Sequence, residues 1–155
     1  MNKYYFEGKT QEQAINLALY ELNISEDDLI VNNVEDKSSL LKKNVKIEVL
    51  NIKEIISFIK DTLNKITELM GAKSNLEVKR REKSISVTIF SENNAILIGK
   101  NGKNVAALQL LIRQMVNSKL KEPLSIIIDV GNYKEKRARS IEYLAKKLAR
   151  EAYKT

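Results

Sequence analysis

Apolar and polar positions change their period several times along the chain, and each change marks an element. Tyr4 and Phe6 alternate with polar neighbours, the two-residue period of a short strand, which Gly8 ends. Thr10, followed three residues later by Gln13, is a helix-capping signature. Ile15, Ala18, Leu19 and Leu22 then recur at i, i+3, i+4 and i+7, which predicts a helix. Residues 28–34 (DLIVNNV) predict a strand and residues 35–43 a polar connection. Val45, Ile47 and Val49 alternate with Lys46 and Glu48, a half-buried strand. Residues 1–50 therefore read β-α-β-β.

From residue 51 the period is helical again. Ile52, Ile55, Ile56, Ile59, Leu63, Ile66 and Leu69 share one face of a long helix, and Gly71 is a fitting stop. Residues 75–81 predict a strand, residues 81–83 a turn, and Ile85, Val87 and Ile89, alternating with Ser84, Ser86 and Thr88, a second strand. Ser91 is expected to cap a short helix over 92–98. A further helix is predicted from 103 to about 119, with Val105, Leu108, Leu111, Ile112, Met115 and Val116 facing inward. The near-continuous apolar run at 124–130 predicts a central strand buried on both faces. Gly131-Asn132 is a turn. A last helix, 133–153, carries the stripe Ile141, Leu144, Ala145, Leu148, Ala149 and Ala152, expected to pack against the preceding elements.

Charge divides the chain at the same place. Residues 1–50 hold 6 Lys/Arg against 9 Asp/Glu, and residues 51–155 hold 21 against 11, so a −3 unit precedes a +10 unit in a chain of net +7. A basic segment of that size attracts a polyanion by counterion release, and nucleic acid is the usual one. The chain has no cysteine and no histidine. Disulfides and thiolate metal sites are excluded, as are the commonest general base and metal ligand. Glu92 is the sole carboxylate near the glycine loop and suits the start of a helix better than catalysis. An enzyme is not expected, nor a metal or cofactor. No apolar run reaches the roughly 20 residues of a membrane span, and residues 1–7 lack the apolar core of a signal peptide, so a cytoplasmic protein without an integral membrane segment is expected.

The candidate chemistry lies in Gly99-Lys100-Asn101-Gly102. A GxxG pair alone is weak, since most such pairs are turns. Its context is specific: it follows Ala95-Ile96-Leu97-Ile98 and opens a helix, with Lys103 and Asn104 next to it. Glycine lets backbone approach a phosphate, and a helix start offers free N–H groups and the positive end of a dipole. Ile96 and Ile98, with Val87 and Ile89 of the adjacent strand, are the expected apolar floor for bases. Phosphate on one side and unstacked bases on the other describe a single-stranded groove. A P-loop is excluded: Gly102-Lys103 is followed by Asn104 rather than Ser or Thr, and position 97 is Leu rather than Gly.

The segment Ile96-Leu97-Ile98-Gly99-Lys100-Asn101-Gly102-Lys103-Asn104-Val105-Ala106-Ala107-Leu108-Gln109 resembles the GxxG core of KH domains, and the helix and two strands before it suggest the type II, bacterial arrangement. More narrowly, the chain resembles the Jag family, also called KhpB or SpoIIIJ-associated. Glu7-Gly8-Lys9-Thr10-Gln11-Glu12-Gln13-Ala14 is similar to the start of that family's Jag-N domain. Asp129-Val130-Gly131-Asn132-Tyr133-Lys134-Glu135-Lys136-Arg137 is similar to its junction with a C-terminal nucleic-acid domain named for an Arg-xxx-His motif. The resemblance implies an α+β fold: a β-α-β-β Jag-N-like domain at 1–50, a type II KH domain (α-β-β-α-α-β) at 51–131, and at 132–155 the first helix of a truncated Arg-xxx-His domain. It implies binding of single-stranded RNA and post-transcriptional regulation in a bacterial cytoplasm. A small single-KH partner protein and a homodimer are the partners it suggests. Two features depart from the family. Without histidine the Arg-xxx-His site cannot be carried over, and the Gly-rich turn before the last Jag-N strand is replaced by Asp36-Lys37-Ser38-Ser39-Leu40-Leu41-Lys42-Lys43. The alternative expectation is a protein-interaction adaptor linked to the cell envelope or membrane-insertion machinery, with RNA binding secondary.

Overall fold

A computed structural model describes residues 1–154. Among the described residues the architecture is α+β, with two three-stranded sheets and five α-helices. In the first sheet β1 (Tyr4–Gly8) and β2 (Leu29–Asp36) flank β3 (Val45–Asn51), all antiparallel. Helix α1 (Gln11–Leu22) is capped as its sequence predicts: the Gln13 N–H donates to Thr10 Oγ1 at 3.2 Å. Ala14 and Ala18 are fully buried and let α1 lie close on Ile47 and Val49.

No linker separates this sheet from the second unit. Asn51 ends β3 and also caps α2 (Ile52–Leu69), its Oδ1 accepting from the Lys53 N–H at 2.9 Å. Leu50 and Ile52, on either side of that residue, both sit in the second core. Ile55, Ile59 and Leu63 continue the buried stripe of α2. Leu69, expected on it, is 80% exposed. The stop at Gly71 is a Schellman closure, with Gly71 N–H donating to Glu68 O and Ala72 N–H to Thr67 O, both at 2.9 Å.

The second sheet is a hairpin, β4 (Ser74–Arg81) and β5 (Ser84–Ser91), extended by β6 (Ser125–Val130) parallel to β5. A parallel pair needs a crossover. Here it consists of α3 (Asn94–Ile98), the glycine turn and α4 (Lys103–Asn117). Ser91 does not cap α3 as expected. It ends β5, its Oγ donating to Lys73 O at 2.7 Å, and α3 starts three residues later. The strand order β4-β5-β6 makes β6 an edge, not the central strand its sequence suggests. Ile126, Ile128 and Val130 face the core, while Ser125, Ile127 and Asp129 alternate onto the other face. Ile127 is 43% exposed, and it alone makes the run look continuous. Leu111 is likewise outside, at 44%, while Val105, Leu108, Ile112 and Val116 are buried.

The two sheets meet at a polar seam. The register of β2 against β3 shifts between Val31 and Asn33, so Asn32 is a bulged residue. The bulge turns its side chain toward the second unit. Asn32 Nδ2 donates to Glu48 Oε1 and to Lys119 O at 3.2 Å, and its Oδ1 accepts from the Lys121 N–H at 2.7 Å. Asp28, also buried, bridges Lys53 and Arg80, each at 2.7 Å. Both side chains are fully engaged, as burial of polar groups requires.

Candidate nucleic-acid interface

Helix α3 presents Ile96 outward at 47% exposure, buries Leu97 completely and leaves Ile98 half-buried against the core. The chain then makes one 3-10 turn, Lys100–Gly102, between the two helices. Three of its four turn positions have positive φ: Gly99 at 70°, Asn101 at 56° and Gly102 at 78°. Asn is among the few side chains that tolerate this region. Lys100, Asn101, Lys103 and Asn104 are all exposed.

Each glycine makes room for a protein side chain. A Cβ on Gly99 would lie 2.5 Å from Asn104 Cγ, and the Asn104 amide fills that space while donating to Ile96 O at 2.7 Å. A Cβ on Gly102 would lie 2.7 Å from Cε1 of Tyr133. The turn is thus pinned from behind by Asn104 and by the first residue of α5 (Tyr133–Lys154). What it leaves toward solvent is Lys100, Asn101 and the start of α4. No side chain caps α4, and no acid stands in its first turn. Lys100 and Lys103 stand there instead, so positive dipole and positive side chains coincide.

Tyr133 is anchored in turn. Lys134 Nζ donates to Gln109 Oε1 at 2.8 Å, the same oxygen that accepts from the Ile128 N–H at 3.0 Å. Asp129 Oδ1 accepts from the N–H groups of Val130 (2.9 Å) and Lys134 (3.3 Å). The first turn of α5 therefore fixes the back of the glycine turn to α4 and β6. Sequence patterning could not find Tyr133, because it is far from Gly102 in the chain and carries no periodic signal. Beyond that turn α5 stands away from the body and buries no residue. The expected packing of its stripe does not occur: Ile141, Leu144 and Leu148 are 53–55% exposed. The helix carries 8 Lys/Arg against 3 Glu, so the basic surface continues away from the turn.

Two expected floor residues are elsewhere. Val87 and Ile89 are 1% and 0% exposed, inside the core. Alternation along β5 points both toward the helices, and the pattern alone does not say which face a ligand meets. Of the expected apolar floor, Ile96 and part of Ile98 reach the surface. Among the described residues no group of three or more His, Cys, Asp or Glu converges as a metal set, and no helix is long and apolar enough to cross a membrane.

The dependence of the turn on Tyr133 is testable. Gly102→Ala places a non-glycine residue at φ 78° and against the ring, which should cost about 1–2 kcal/mol for the backbone alone. Adding Tyr133→Ala removes the clash and leaves the backbone strain. The two substitutions should therefore be less than additive in a denaturant double-mutant cycle. Strict additivity would show that the ring and the glycine do not interact.

Comparison with known proteins places these elements. The model for the KhpA/KhpB KH domain matches residues 57–128, and the model for the Jag N-terminus matches residues 6–50. The RNA-binding protein KhpB of Clostridium symbiosum is 29% identical over 160 aligned positions, covering 96% of this chain and 69% of that protein. The RNA-binding protein KhpB of Bacillus subtilis (strain 168) is 28% identical over 153, covering 96% and 74%.

Proposed function

The chain belongs to the Jag/KhpB family, and from that premise we propose that it binds single-stranded RNA by gripping the backbone with Gly99-Lys100-Asn101-Gly102. The observation that carries this reading is the uncapped start of α4, flanked by Lys100 and Lys103 and held rigid from behind by Asn104 and Tyr133. Phosphate oxygens meet the N–H groups and the two lysines; Ile96, and Ile98 at its edge, offer an apolar surface to a splayed base. Residues 1–50 serve as the Jag N-terminal unit, 51–131 as the KH unit, and 132–155 as the start of the family's C-terminal unit. The role is post-transcriptional regulation in a bacterial cytoplasm.

Titration of a fluorescent single-stranded RNA across salt concentrations tests the reading. Each neutralised phosphate contributes a slope of about −0.7 in log affinity against log salt. With Lys100 and Lys103 both engaged, the slope should be about −1.4 or steeper. Absent binding, or an affinity indifferent to salt, would sink it.

A second reading, a protein-interaction adaptor linked to envelope or membrane-insertion machinery, is favoured by the uncovered stripe Ile141, Leu144 and Leu148. A small single-KH protein or a second copy of this chain would be its partner. Light scattering of the purified chain, alone and with such a partner, distinguishes monomer, homodimer and heterodimer.

A further inference from the structure

The connection between β2 and β3 departs from ordinary turn chemistry. Tight hairpin turns favour Gly, Asn or Asp. Here the two central residues are Leu40 and Leu41, and residues 36–44 contain no glycine. The turn is nonetheless fully built. Lys37 N–H donates to Asn44 O at 2.8 Å, and Ser39 N–H to Lys42 O at 2.7 Å. Ser38 Oγ accepts from the Asn44 N–H at 3.1 Å, and Ser39 Oγ from the Lys42 N–H at 3.2 Å. The result is a narrow finger with Leu40 at 106% and Leu41 at 99% exposure, the two most exposed large hydrophobic residues described.

The charge of the finger is opposite to that of its unit. Residues 37–44 hold Lys37, Lys42 and Lys43 and no acid, within a segment 1–50 of net −3. Lys9 borders the same end, beside Leu41 and Lys42, as does one acid, Glu7, whose Oε2 accepts from Asn44 Nδ2 at 3.3 Å, so the cations there outnumber it. Among the described residues Lys9, Lys42 and Lys43 form no ion pair.

We propose that this finger docks the protein on an anionic lipid bilayer, with Leu40 and Leu41 entering the headgroup–acyl boundary and Lys9, Lys42 and Lys43 meeting lipid phosphates. Three features select a bilayer over a protein pocket. The tip is convex, so a protein would have to bring an acid-rimmed cavity for two adjacent leucines, whereas a bilayer supplies apolar depth and diffuse negative charge together. The turn satisfies much of its own backbone, which lowers the cost of leaving water. Within residues 1–50 the acidic remainder is repelled by an anionic surface, so the finger is the part of that unit that can meet it. This inference stands apart from the RNA reading and uses none of its residues.

The test uses the whole chain and vesicles of phosphatidylcholine with or without phosphatidylglycerol. Sedimentation with the anionic vesicles is expected, and little with the neutral ones. Leu40→Asp/Leu41→Asp should lower partitioning by about tenfold or more for each leucine, with circular dichroism and RNA affinity unchanged. Lys42→Glu/Lys43→Glu should lower it and flatten its salt dependence. Ile141→Asp/Leu144→Asp, on α5, should leave it intact. Tryptophan at position 41 (Leu41→Trp) should shift to the blue and be quenched by brominated acyl chains. Failure of the wild type to sediment would overturn the proposal and leave a protein pocket as the occupant. Unchanged sedimentation of the double-aspartate variant, or loss only in the α5 variant, would overturn it in favour of the C-terminal helix.

Discussion

Lys100→Asp/Asn101→Asp should weaken RNA binding roughly a hundredfold while leaving the protein at least as stable as before. The two outcomes come from the same physics acting in opposite directions. Lys100 and Asn101 are exposed and lie just before the uncapped N-terminus of α4. A carboxylate there can accept from the free N–H groups and complements the dipole, so the helix gains a cap it lacks. Asp also tolerates the left-handed backbone that Asn101 adopts at φ 56°. Folding is therefore not the casualty. The substitution does change the charge facing a phosphate by three units. At about 1 kcal/mol per unit pair at 4 Å in a water-like dielectric, the loss is about 3 kcal/mol, or roughly a hundredfold in Kd. Thermal melting and fluorescence anisotropy with the same RNA check both halves. A folded variant that binds like the wild type would remove the turn from the interface.

Much of this architecture is legible from periodicity because most elements bury one face. The stripes on α2 and α4 and the alternation in β3 and β5 all have a core partner, and hydrophobic periodicity reports such partners. The misses among the apolar positions have one common origin: periodicity says that a face is apolar but not whether anything covers it. The stripe on α5 is as regular as the one on α2, yet it is bare beyond the first turn. β6 has one exposed isoleucine too many and so reads as a central strand. Val87 and Ile89 are apolar, but the strand turns them into the core.

The glycine turn was legible for a partly different reason from the one that builds it. Gly99-Lys100-Asn101-Gly102 stands out because glycine permits close backbone approach. In the fold the approaching groups are Asn104 and the Tyr133 ring. The ligand-facing part is the intervening Lys100-Asn101 and the helix start. No local pattern connects Gly102 to Tyr133, or Asn32 to Lys119 and Lys121, since those contacts exist only once the chain has crossed over.

Asp28→Ala should cost about 3 kcal/mol and uncouple the two units. Asp28 is 6% exposed and holds Lys53 and Arg80 at 2.7 Å each, so one carboxylate ties the first sheet to both α2 and β4. Removing one partner of such a cluster leaves Arg80, itself largely covered, without its charge partner. In denaturant the wild type should unfold in a single transition, because the Asp28 and Asn32 contacts and the shared Leu50–Ile52 junction join the two sheets. The variant should show two transitions. Acid titration of stability gives an independent check. Hydrogen bonds from Lys53 and Arg80 hold the Asp28 carboxyl down at about 2, from an ordinary value of 3.8. A carboxyl depressed on folding contributes stability that is complete above its unfolded pKa and is lost as pH falls through the folded one. The Asp28 contribution should therefore be constant above about pH 5 and disappear between there and about pH 2, amounting to about 2–3 kcal/mol. Glu48, lowered by Lys3 and Asn32, falls in the same direction. Glu54 does too, although burial pushes it up, because the Tyr4 hydroxyl and the Asn2 amide outweigh that burial. Asp28→Asn isolates the Asp28 share: it should sit well below the wild type at pH 7 and approach it near pH 2. If the two unfold with the same pH dependence, the bridge to Lys53 and Arg80 does not hold the units together.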